Sequence, residues 1–200
     1  AFGYQALTAN TTGASNNAFG KSALDANSTG SNLTAMGHNA LGANTTASNN
    51  TAIGYETLAA NTTGSLNVAV GANALLTSTT GLSNVAVGEQ CMKLNTTGDR
   101  NTAVGQASLF SNTTADNNTA VGYFAQINNT TGTENTAVGA FALDANTTAD
   151  HNTAIGHNSI TTNTTGSENT GIGQSSLRLN TTGGSNTAVG FAALDQNTTA

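Results

Sequence analysis

Asparagine followed two residues later by threonine is the acceptor sequence for N-linked sugar. This chain repeats it at Asn10, Asn27, Asn44, Asn61, Asn95, Asn112, Asn129, Asn146, Asn163, Asn180 and Asn197, and Ser78 interrupts the series. The threonines of the same turns, such as Thr12 and Thr80, add hydroxyls able to carry O-linked sugar. With 7% charged residues, little else would keep a long β-rod from sticking laterally, and a sugar coat would do so. The competing role is structural. Asn in register at a turn bonds its own backbone and the Asn of the neighbouring copy. One role needs an exposed amide and the other a buried one.

Other chemistry is sparser. Gly13 to Ser22 superficially resembles a phosphate-binding loop, but six residues separate Gly13 from Gly20 where that loop has four. His151 and His157 are six residues apart on an extended chain, too far to share an ion. Glu134, His151 and Glu168 fall one copy apart and would stack as a solvated, charge-compensated column or a weak metal site. No Ser-centred nucleophile elbow is present, and no carboxylate pair sits in an apolar setting that would tune it for acid–base work. The chain is therefore expected to be no enzyme and to need no cofactor. Cys91 is the only cysteine, so no internal disulfide can form.

What must position these groups is a repeat. From Gly3 to Gly190 a glycine recurs every 17 residues in twelve copies, with no insertion or deletion. A period this strict means one supersecondary unit stacked on itself. Counting rows from Asn135 as row 1, the glycine is row 5. Row 4 is always a sizeable apolar residue (Val104, Val121, Val138) and row 9 is nearly always Leu (Leu109, Leu143). These two rows are the expected core. Gln126 breaks row 9, with Ile127 beside it to take over its role. Rows 3 and 8 are always small, as at Ala103, Ala120 and Ala137. Neighbours along a strand point to opposite faces, so the small row 3 is expected to meet a partner chain.

Apolar positions recurring at 17, with Gly and paired Thr in every unit, exclude a helical reading. The expected fold is all-β: a parallel β-solenoid, or β-roll, of twelve 17-residue coils spanning 1–200 with no separate domains. Each coil is expected to hold a short Thr-Ala-Val strand, a bend at Gly, a second short strand around Ala-Leu and a broad turn through Asn-Thr-Thr-Gly. Coils would stack about 4.7–4.9 Å apart. Lys21, Lys93, Arg100 and Arg178 are too few and scattered for nucleic acid, and no apolar run approaches a membrane span. Both ends of the sequence lie inside a repeat, so the chain is expected to be a window of a longer array.

The unit Asn-Thr-Ala-Val-Gly-x-x-Ala-Leu-x-x-Asn-Thr-Thr-Gly resembles the head repeats of trimeric autotransporter adhesins, and related repeats of tail-fibre-like surface proteins of bacteria and phages. The resemblance covers the whole chain and is most specific at the Ala-Val-Gly step, though the adhesin repeat is typically shorter. It implies a β-roll, three chains wound into one rod and a place at the cell surface. The function expected is an extracellular fibre or adhesin shaft that self-associates as a homotrimer or fibre, with glycans as possible partners. The alternative is a binding module that uses its regular Thr rows on ice or polysaccharide.

Overall fold

A computed structural model, describing residues 1–199, shows an all-β solenoid without helices among those residues. Eleven three-residue strands run from β1 (Asn17–Phe19) to β11 (Thr187–Val189) and pair in parallel in strict chain order as one sheet. The register is the repeat itself. In β6 (Thr102–Val104), β7 (Thr119–Val121) and β8 (Thr136–Val138), Ala103 pairs with Ala120 and Ala120 with Ala137. A bridge from Phe2 to Phe19 continues the ladder below β1.

Each coil has one strand and not two. The Ala-Leu segment forms turns, because the chain is left-handed at rows 7 and 9, with φ 56 at Phe141 and 53 at Leu143. A third left-handed residue falls at row 17, for example His151 at φ 59. Such conformations cost L-residues about 1–2 kcal/mol each, so the stack must hold them in place. It does so through backbone bonds between coils. Leu109 N–H donates to the Ala125 carbonyl at 3.0 Å, Phe124 to Gln106 at 3.1 Å, and Thr119 to Asn135 at 2.8 Å. Row 5 needs glycine on two counts. At Gly105 φ is +132, and an added Cβ would lie 2.4 Å from the Gly122 carbonyl oxygen.

Strand alternation places row 3 inside and rows 2 and 4 outside, which reverses the expectation for two rows. Ala103, Ala120 and Ala137 are fully buried and form the solenoid's own interior, not an assembly face. Val104 and Val138 are 36% and 37% exposed, and Val121 is half-buried, so row 4 is not core. The interior is too narrow for a branched side chain from the strand once Leu109 and Leu143, both fully buried, reach in from the opposite wall. Gln126 also occupies the interior at 0% exposure, while Ile127 stays half-buried and does not replace it.

Candidate functional site

The sequon asparagines lie in the interior. From Asn27 to Asn180 every row-12 asparagine is fully buried. Except at Asn95, which follows Ser78 in the column and bonds only the Gly98 carbonyl, each of these amides donates twice: Asn146 Nδ2 gives one bond to Asn129 Oδ1 at 2.9 Å and one to the Ala149 carbonyl at 3.0 Å. Row 1 builds a second column. Asn135 Oδ1 accepts from the Asn152 backbone N–H at 2.9 Å, and Asn135 Nδ2 donates to the Ala149 carbonyl at 2.8 Å. One row-15 carbonyl thus takes an amide from each column and uses both its lone pairs. The expectation of N-linked sugar is corrected on this ground at Asn27, Asn44, Asn61, Asn95, Asn112, Asn129, Asn146, Asn163 and Asn180, while Asn10 and Asn197, at the two ends of the column, are half-buried. A glycosidic bond at Nδ2 would remove a ladder proton and force a sugar into the stack. Ser78 interrupts the column, leaving its own Oγ and Asn61 Oδ1 buried without partners.

The two threonines that follow differ sharply. Row 13 hydroxyls are spent between coils, as where Thr130 Oγ1 donates to the Thr147 carbonyl at 2.9 Å and Thr113 to Thr130 at 3.1 Å. Row 14, which contains Thr12 and Thr80, is exposed in every copy. Its hydroxyls make no side-chain hydrogen bond to the described residues.

The outward face of the sheet is the longest continuous surface. Row 2 is Thr in most coils, with Asn17, Val68 and Val85 as variants, and row 4 is Phe, Met, Ile or Val throughout. Neither row contains a charged residue. The apolar ridge is widest at Phe2 and Phe19, whose rings stack at 5.0 Å. Sequence reasoning sought the working surface in row 3. Its signal lay in row 2, because a polar Thr and its alternate neighbour in row 4 must share one face.

Charge is kept to other rows. Arg178 Nε donates to Asp195 Oδ1 at 2.7 Å, which holds the Asp195 carboxyl below its usual range. His151 Nε2 lies 3.2 Å from Glu134 Oε2, but Glu168 instead accepts from Ser185 Oγ at 3.0 Å. The expected three-member column is therefore a pair, and no group of three metal-binding side chains forms among the described residues. Tyr123 and Phe124 stack at 4.0 Å, with the Phe141 ring edge-on at 5.3 Å from Tyr123, so these rings satisfy one another. Cys91 is fully buried beside Ser108, and burial pushes its thiol up to about 11. No helix of the described residues is long and apolar enough to cross a membrane. Comparison with family models, curated proteins and solved structures finds no match for this chain, so its reading rests on its own surfaces.

Proposed function

We propose that the chain is a structural rod of an extracellular fibre or adhesin shaft, and that rods associate side by side through the Thr/Val face. The observation that carries this reading is the uncharged, apolar-ridged outer face of the sheet, running from Phe2 to Val189 on a solenoid that spends its asparagine amides and row-13 hydroxyls within the stack. Monomeric soluble proteins seldom expose a contiguous apolar patch above a few hundred Å² without a partner for it. The partner that matches a ridge repeating once per coil is another object of the same pitch, and a second copy has that pitch by construction. The cell-surface setting comes from the resemblance to adhesin heads.

The test is sedimentation velocity on the array and on a variant with Val104→Asp, Val121→Asp and Val138→Asp. These side chains are outside the interior, so the variant keeps its β circular dichroism and runs as a monomer while the parent associates. Association unchanged by the three aspartates overturns the reading. A second function is favoured by the same absence of charge: the Thr and Val columns present hydroxyls and methyls on a regular lattice, which suits ice or an ordered polysaccharide. Thermal hysteresis in the parent that disappears in the variant supports this second function, and its absence leaves the rod.

A further inference from the structure

We propose that the row-14 threonines are modification sites, each accepting an O-linked sugar, and that the sequon asparagines and row-13 threonines beside them are not. Three consecutive side chains of one turn stand in three environments. Asn129 is fully buried, with Nδ2 donating to Asn112 Oδ1 at 3.3 Å and to the Gly132 carbonyl at 2.9 Å. Thr130 Oγ1 donates its proton to the Thr147 carbonyl at 2.9 Å. Thr131 is exposed and keeps both its proton and its lone pairs.

The second observation is the constancy of row 14 within the chain. It is Thr in all twelve copies. Exposed rows elsewhere drift freely: row 17 runs through Ser, Asn, Leu, Arg, Glu and His, and row 6 through Tyr, Lys, His, Ala, Glu and Gln. Strand preference does not account for it, because row 14 lies in a bend outside the sheet. A residue that is exposed, bonds nothing through its side chain and still never varies is read by something outside the chain.

The chemistry of that reader is set by charge. Neighbouring row-14 hydroxyls stand about one strand spacing apart, roughly 4.8 Å. A phosphate on each would line up about −1.5 to −2 charges per coil, well inside one Debye length of about 8 Å, on a chain already at −6. A neutral sugar carries no such repulsion. In the transfer, Thr Oγ attacks the anomeric carbon of a nucleoside-diphosphate sugar and a glycosidic C–O bond forms. The bond from that carbon to the phosphate oxygen breaks, the nucleoside diphosphate leaves with the electron pair, and a base of the transferase takes the hydroxyl proton. Row 13 cannot take part without giving up its bond between coils.

The experiment is intact-mass and fragmentation mapping of the protein from its native host, together with a variant carrying Thr114→Val, Thr131→Val and Thr148→Val. The expected result is a set of sugar-sized increments above the bare 19.8 kDa of this span, all on row 14. The variant loses three of those acceptors and keeps the parent's urea midpoint. A bare mass, sugar on row 12 or row 13, or a midpoint lowered as far as by Thr113→Val, Thr130→Val and Thr147→Val overturns the proposal.

Discussion

Replacing Ser78 by Asn should repair the one break in the row-12 column. Elsewhere in the column the amide donates to the Asn one coil back and to its own row-15 carbonyl; at Asn112 those bonds are 2.8 and 3.1 Å, whereas Asn95 keeps only its bond to the Gly98 carbonyl at 3.2 Å. At Ser78 both partners are missing: Asn61 Oδ1 has no donor and Ser78 Oγ no partner, although both atoms are buried. An Asn there would give Asn61 its donor, reach the Gly81 carbonyl and offer Asn95 an acceptor. Three hydrogen bonds at about 0.5–1.5 kcal/mol each, less the cost of ordering one more amide, leave about 2 kcal/mol. Stacked repeats unfold piecewise, so native-state hydrogen exchange at the backbone amides of Asn61, Ser78 and Asn95 is the proper assay. Protection there should rise by about thirtyfold, the equivalent of 2 kcal/mol at roughly 1.4 kcal/mol per decade. The reverse change, Asn112→Ser, should cost as much in its own coil. If Ser78→Asn left protection unchanged while Asn112→Ser lowered it, the energetic role assigned to the ladder would be wrong.

Gln126→Leu should stabilise coil 118–134 by about 2–6 kcal/mol, since Gln126 is fully buried with both side-chain polar atoms unpartnered, and each such atom costs roughly 1–3 kcal/mol. Urea unfolding followed by exchange at the Leu109 and Leu143 amides reads it, and no gain would mean that the amide has a partner. Cys91 should resist iodoacetamide at pH 8 until the array unfolds, because its thiol is buried and its pKa is raised to about 11. Its linkage has a definite sign: the folded state holds the proton more tightly, so its contribution is fully present below the unfolded thiol value of about 8.5 and is lost as pH climbs through 11. Cys91→Ala should flatten that alkaline decline, and an unchanged pH profile would contradict it. Burial likewise raises the Asp144 carboxyl, whose Oδ1 has no partner. Stability should fall as pH rises from about 3.9 through the folded value, and Asp144→Asn should remove the loss.

The coil, its length and its register were legible because a single glycine spacing repeats without error, and only stacking explains that. The side of the strand was not. Size alone sent Val104 inward and Ala103 outward, whereas the narrow lumen already filled by Leu109 admits only Ala from the strand. The row-2 Thr carried the information, since Thr102 and Val104 must share a face and an inward Thr would need a partner in an apolar interior. The row-12 asparagines were legible as a choice between sugar and ladder. What decides it is the row-15 carbonyl three residues on, invisible in sequence because every residue has one. The left-handed sites left a trace too. Rows 7 and 17 contain no β-branched residue, the class that tolerates positive φ least.

The claim that rods meet through the Thr/Val face is tested most directly by disulfide trapping. Cys91 is buried, so a cysteine placed at Val121 on the outer face would be the reactive one, and Asn117→Cys in the exposed row 17 is the control. Under mild oxidation the Val121→Cys array should give a covalent dimer on a non-reducing gel while the Asn117→Cys array stays monomeric. Equal cross-linking from the two positions, or none from Val121→Cys, would contradict the account.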